Sequence, residues 1–136
     1  MDVDAERLER LTEQIIGLAI EVHRILGPGL LESVYRECLI LELRQHRLRH
    51  ESERHIPLDY KGQRIKGHLK LDLMVEDLVI VELKSVDHLH PVNLAQVITY
   101  LKLTGCPAGL LMNFNGVNLR SGLRRLHHPA LHERGT

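Results

Sequence analysis

The sequence predicts an α/β fold: a small mixed sheet flanked by helices. Three observations predict it. The first third of the chain carries apolar residues at three- and four-residue steps; short runs alternating apolar and polar residues follow; a later helical stretch, opened by Pro91, separates the last of those runs from an almost wholly apolar segment. A helix between two strands serves as a crossover, which allows a parallel pair within an otherwise antiparallel sheet.

From about Ala5 to Leu26 the residues Leu8, Leu11, Ile15, Leu18, Ala19, Val22 and Leu26 form one stripe of an amphipathic helix. Gly27-Pro28-Gly29 ends it. A second helix runs from near Leu30 to about Arg47, with Leu31, Val34, Tyr35, Cys38, Leu39 and Leu43 inward and Glu32 in its first turn. Strands follow at Arg54–Tyr60, Arg64–Val75 and Val79–Lys84, the first two joined at Lys61-Gly62. Ser85–His90 is a loop. Pro91 takes the favoured first-turn position of the next helix, and Gly105-Cys106-Pro107 closes it. Ala108–Phe114 reads as a strand buried on both faces. After the Asn115-Gly116 turn, Leu123–His127 adds an edge strand. Residues 1–136 read as one domain with a core from about 5 to 127 and a loose tail at 129–136.

The stretch Leu71–Lys84 sets the register of the central hairpin. A two-residue turn at Glu76-Asp77 pairs Asp72 with Val81 and Leu71 with Glu82, mixing charge and hydrocarbon on both faces. A three-residue turn, Glu76-Asp77-Leu78, pairs Leu71 with Leu83, Leu73 with Val81 and Val75 with Val79, leaving one face wholly aliphatic. The second register is expected, because a one-residue slip turns every side chain over. It sets Asp72 opposite Glu82, with Lys84 two residues along. Opposed Cβ atoms lie about 4.5–5.5 Å apart, where like charges repel. A divalent cation between the carboxylates removes the repulsion.

Hydrophobic residues make up 43% of the chain, which excludes disorder, and no apolar run is long enough for a transmembrane helix. The acidic start, Met1 to Arg7, lacks the features of a signal peptide, and two cysteines, Cys38 and Cys106, suit a reducing cytoplasm as packing residues. Net charge is zero, but its distribution is uneven. Basic residues crowd Arg44–His55, the run Lys61, Arg64, Lys66, His68 and Lys70, and Arg120–His128. Either a phosphate-gripping face or an ordinary solvated surface fits this pattern. The paired histidines His88/His90 and His127/His128 lack the spacing of a zinc site. His23 lies off the main stripe of its helix.

Asp72 followed by Glu82-Leu83-Lys84 resembles the signature of the PD-(D/E)XK nuclease superfamily, although Leu71 stands where the motif has Pro. Gln96-Val-Ile-Thr-Tyr100 resembles the Q-x-x-x-Y element of exonuclease-like members. Gly29-Leu-Leu-Glu32-Ser-Val-Tyr35 resembles the motif that names the GxxExxY protein family, a branch of the same superfamily. The resemblance spans residues 11 to 127 and implies a restriction-endonuclease-like α-β-β-β-α-β core.

It also implies a metal-dependent nuclease acting on nucleic acid, DNA being favoured. Mg²⁺, or Mn²⁺ in its place, takes hard oxygen ligands and keeps several waters. Asp72 and Glu82 are the expected ligands, the Leu83 carbonyl a third, and Glu32 joins them directly or through water. Lys84 shares a face with Glu82 and is placed to orient the attacking water or to stabilise charge on the phosphate. Gln96 and Tyr100, four apart on one helix face, bind the phosphate or hold Lys84 and the water. Plainer alternatives stand beside each. Glu-x-Lys on a strand is often an exposed ion pair, Glu32 fits the helix dipole, and Gln96 and Tyr100 fit a polar helix stripe. A catalytically silent nucleic-acid- or protein-binding module on the same fold is the competing function, and a homodimer that completes the site remains open.

Overall fold

The computed structural model describes residues 4–67 and 69–134, so Met1 to Val3, His68 and the last two residues lie outside it. Helix α1 spans Ala5–Leu26. The Asp4 carboxylate accepts from the Glu6 and Arg7 N–H groups and satisfies two of the orphan donors at the helix start. Gly27, at φ 71, ends the helix as the sequence indicates. Helix α2 is shorter than expected, Glu32–Gln45 rather than Leu30–Arg47. The linker stays extended because the Tyr35 hydroxyl donates to the Gly27 carbonyl (2.6 Å) and accepts from the Leu30 N–H (3.1 Å). Beyond the helix, Arg47 turns left-handed at φ 58 and stops it.

Two expected strands are each divided. Arg54–Tyr60 becomes β1, His50–His55, and β2, Leu58–Tyr60; Arg64–Val75 becomes β3, Gln63–Ile65, and β4, Lys70–Val75. Pro57 has no N–H for a ladder, and Gly67 bends the chain at φ 78. Among the described residues, strands β2 and β3 pair only with each other. After β5 (Val79–Lys84), helix α3 (Pro91–Thr104), β6 (Ala108–Asn113) and β7 (Leu123–His127), Pro129–Arg134 forms a short helix, α4, where a loose tail was the expectation.

The main sheet of the described residues runs β1-β4-β5-β6-β7. Strands β5 and β6 are parallel, joined by the α3 crossover, and the other neighbours are antiparallel. This is a mixed α/β sheet flanked by helices. The hairpin adopts the aliphatic register, with Leu73 opposite Val81 and Val75 opposite Val79. Glu76 and Asp77 both have positive φ (53° and 55°), the Leu78 N–H donates to the Val75 carbonyl, and Leu78 is the extra residue.

Helices α1 and α2 cover one face with Ile15, Ala19, Val22, Leu39 and Leu43 against Leu73, Val81, Leu83 and Leu110. On the other face α3 packs Val97, Tyr100 and Leu101 against Met74, Ile80 and Leu111. Each Val, Leu, Ile or Met among them contributes about 1.5–3 kcal/mol when fully buried. Leu71 departs from expectation: it joins the α3 side instead of facing Leu83. Both ladders around β4 skip Asp72, and Glu53 across from it is left-handed at φ 52, so the alternation breaks there. Helix α3 sits close to the sheet at Gly109, where a Cβ would come within 2.7 Å of Val97 Cγ1. No described helix is long and apolar enough to cross a membrane.

Candidate active site

Strands β4 and β5 bring Asp72 and Glu82 together, with Glu82 on the same side of β5 as Ile80, which packs under α3. The backbone ladder stops at Leu73–Val81, and one residue on the side chains replace it. The Asp72 N–H donates to Glu82 Oε1 (2.9 Å), and the Leu83 N–H donates to Asp72 Oδ2 (2.9 Å). Each carboxylate is therefore tied to the other strand's backbone, which holds the pair despite its repulsion. Glu82 is only 5% exposed. Burial, and next the Asp72 charge, push its carboxyl up to about 8, with nearby Lys84 pulling weakly the other way.

Lys84 ends β5 beside Asn113 of β6, half-buried, with its side chain on the Glu82 side of the strand. Tyr100 is buried in the α3 layer. Burial raises its phenol first, then the Glu82 and Asp72 charges, while a hydrogen bond with Gln96 pulls it back. The field of the carboxylate pair thus reaches the Gln96–Tyr100 pair, with Gln96 exposed one turn earlier.

Three side chains that the motifs do not single out, Arg36, Glu53 and Lys70, complete the surroundings. Arg36 on α2 lies 3.6 Å from Asp72 Oδ1 through Nη1 and 2.8 Å from Glu53 Oε1 through Nη2. Lys70 Nζ is 3.3 Å from the other Glu53 oxygen. The Arg36 Nε is buried without a hydrogen-bond partner among the described residues. Arg36 falls four residues after Glu32, so the helical period already put both on one face. Glu53 lies in an edge strand with almost no apolar residue, where periodicity gives no signal.

Glu32 stands half-buried at the start of α2, one turn before Arg36, and makes no ion pair among the described residues. Tyr35, three residues on, is fully buried, stacks on Phe114 with centroids 4.5 Å apart and spends its hydroxyl on the Gly27–Leu30 linker. His23 is also buried, bonded through Nε2 to the Gly116 carbonyl at 2.9 Å. Cys38 and Cys106 are free thiols, Cys106 buried against Met74.

No group of three or more His, Cys, Asp or Glu side chains among the described residues forms a metal cage. The donor set that is present fits a hard divalent ion that keeps some of its waters. Two carboxylates meet, and the more buried one retains its proton near neutrality unless a cation offsets its neighbour.

A sequence model of the PD-(D/E)XK nuclease superfamily matches residues 9–126. The crystal structure of SSO0001 is similar in fold, with a TM-score of 0.54 and 21% identity over 90% of this chain and 62% of that one. The chain thus spans less than two thirds of the length of SSO0001. Among curated proteins none matches the sequence.

Proposed function

This chain belongs to the PD-(D/E)XK nuclease superfamily, and on that premise we propose that it hydrolyses phosphodiester bonds of nucleic acid, DNA in the first place, with Mg²⁺ or Mn²⁺. The observation that carries this reading is the Asp72–Glu82 pair, locked face to face by two backbone hydrogen bonds with Lys84 alongside. A binding module gains nothing from opposed carboxylates, which cost stability.

Asp72 and Glu82, with the Leu83 carbonyl, would hold the metal, and Glu32, on the face of α2 that also carries Arg36, would join them directly or through water. When bound, the ion polarises the scissile phosphate and lowers the pKa of a water. Lys84 orients that water and balances charge gathering on the phosphate oxygens. The Tyr100 phenol, kept protonated by burial and two nearby carboxylates, remains a hydrogen-bond donor across the neutral range. With Gln96 it fixes the phosphate or the Lys84 ammonium. The Gly29–Tyr35 segment supports the GxxExxY branch, and we place the activity in the cytoplasm.

The test is cleavage of labelled duplex DNA, single-stranded DNA and RNA with Mg²⁺ or Mn²⁺, alongside Asp72→Ala and Lys84→Ala. Cleavage that needs metal and is lost in both variants is expected. Activity that survives both substitutions, or that ignores EDTA, rules the site out. Calorimetric titration of Mn²⁺ separates enzyme from silent module: heat that depends on Asp72 and Glu82 favours the enzyme.

A further inference from the structure

The hairpin of β2 and β3 stands apart from the main sheet, and its placement is informative. Strands β1 and β4 pair His55 with Lys70, and the hairpin is the excursion between them. It leaves the sheet two residues from Asp72. Because β5 runs antiparallel to β4, this is also the end of the sheet at which Lys84 sits. The hairpin therefore projects beyond the catalytic edge.

A two-stranded ribbon is marginally stable by itself in water, and this one carries little to hold it. Its Tyr60 is 61% exposed and its Ile65 38% exposed. Its charge is lopsided: Lys61, Arg64 and Lys66 against Asp59, which is engaged by Arg64 through a 2.6 Å contact. The Lys61 ammonium lies 5.5 Å from the centre of the Tyr60 ring. Beneath the hairpin is a cleft of about 270 Å³ lined by His55, Ile56, Pro57, Arg64, Ile65 and Lys66. Its lining joins apolar Ile56, Pro57 and Ile65 to cationic Arg64 and Lys66. The volume exceeds the roughly 150 Å³ of a cavity that holds benzene, so a sugar or base ring has room.

We infer that this cleft is a nucleic-acid subsite: Arg64 and Lys66 in its lining, with Lys61 at the hairpin tip beyond it, hold phosphates of the strand flanking the cleaved bond, and Ile65, Pro57 and Ile56 receive the sugar–base unit. The inference rests on the nuclease reading of the neighbouring carboxylates. Charge decides the class of partner, because apolar side chains alone suit a peptide equally, whereas Arg64 and Lys66 in the lining, with Lys61 further along the ribbon, suit a polyanion. Scission two residues from the hairpin's root then acts on a strand whose backbone is already held.

The experiment is fluorescence anisotropy of a labelled DNA duplex and a labelled oligonucleotide, in EDTA so that nothing is cleaved, across a salt series. The proteins are wild type, Lys61→Gln/Lys66→Gln, Lys61→Gln alone and Ile65→Ser. The double variant is expected to bind at least about tenfold more weakly at low salt, with a salt slope on duplex shallower by about 2. Lys61→Gln alone loses about half of that slope change, and Ile65→Ser weakens binding with the slope unchanged. Melting temperature and Mn²⁺ titration heat match wild type in all three. A double variant with wild-type affinity and slope, from a wild type that cleaves, overturns this inference alone. A wild type that neither binds nor cleaves nucleic acid overturns the nuclease reading together with it.

Discussion

Arg36 and Asp72 form an ion pair across two elements, with Nη1 and Oδ1 3.6 Å apart, while the other carboxylate oxygen is taken by the Leu83 N–H. The guanidinium partly balances the charge of an acid whose neighbour is buried. It is itself shared with Glu53, and its Nε has no partner among the described residues. Replacing it with an apolar side chain leaves Asp72 without that cation and Glu53 with Lys70 alone. Arg36→Met is expected to lower metal-free stability by about 1–3 kcal/mol. Mn²⁺ is expected to raise its melting temperature by more than it raises that of wild type. Thermal melts with and without Mn²⁺ measure both; equal metal-induced shifts count against the charge-balancing role.

Glu82 ties stability to pH in an unusual direction for a carboxylic acid. Its folded pKa, about 8, lies above the ordinary 4.5. Between those values the folded chain keeps a proton that the unfolded chain has released. The contribution is therefore complete below pH 4.5 and is lost as pH rises through 8. Denaturant titrations in EDTA are expected to show wild type losing on the order of 1–3 kcal/mol from pH 5 to 8 relative to Glu82→Gln, which has no carboxyl to titrate. A parallel pH profile for the two proteins contradicts the buried acid.

Lys84 is separable from metal binding. Its ammonium shares the Glu82 face but its charge is of the wrong sign to hold a cation. Lys84→Met is expected to leave Mn²⁺ titration heat within about twofold of wild type and to lower the cleavage rate by about 10²–10⁴-fold, the range of a lost proton-transfer or charge-stabilising group. Single-turnover cleavage read beside calorimetry checks this; lost heat makes Lys84 a structural prop instead.

Gly109 governs how α3 meets the sheet. A methyl group there would fall 2.7 Å from Val97 Cγ1, so either the buried Val97 side chain or the helix that carries Gln96 and Tyr100 must shift. Gly109→Ala is expected to destabilise by about 1–3 kcal/mol through overpacking. Gly109→Ala with Val97→Ala recovers part of the loss. Chemical denaturation of the single and double variants gives the comparison.

The central hairpin was legible in the sequence because only one register gathers Leu73, Val75, Val79 and Val81 on a common face. The helices were legible in their apolar spacing, and α1 keeps its expected limits because Asp4 and Gly27 cap it with side-chain and left-handed geometry. What failed has local causes. Strand β1 begins at His50 within a polar run that lies at the sheet edge, so no alternation marks it. The separate β2–β3 ribbon was concealed by a Pro57 break that reads as a minor irregularity inside a longer strand. Asp72 and Glu82 follow from register, but Arg36 and Glu53 require knowing that α2 and β1 flank the same end of β4, a tertiary relationship that spacing does not encode. Leu71 shows the same limit in miniature, since alternation extrapolates smoothly through a position at which both ladders break.

The bulged turn at Glu76–Leu78 also decides which kinds of mutation the site tolerates. Asp72 and Glu82 lie on one continuous hairpin and meet only because the chain between them has its present length. Substitution within the turn leaves that count unchanged and, wherever left-handed backbone is accepted, preserves the meeting. Insertion or deletion of a single codon rotates one strand half a pleat against the other, sending one acid to the α1–α2 side and an aliphatic residue into its place. Across descendants of this gene, the turn between Val75 and Val79 is expected to vary in composition while holding its length constant, and a one-residue length change there is expected to separate the two acids.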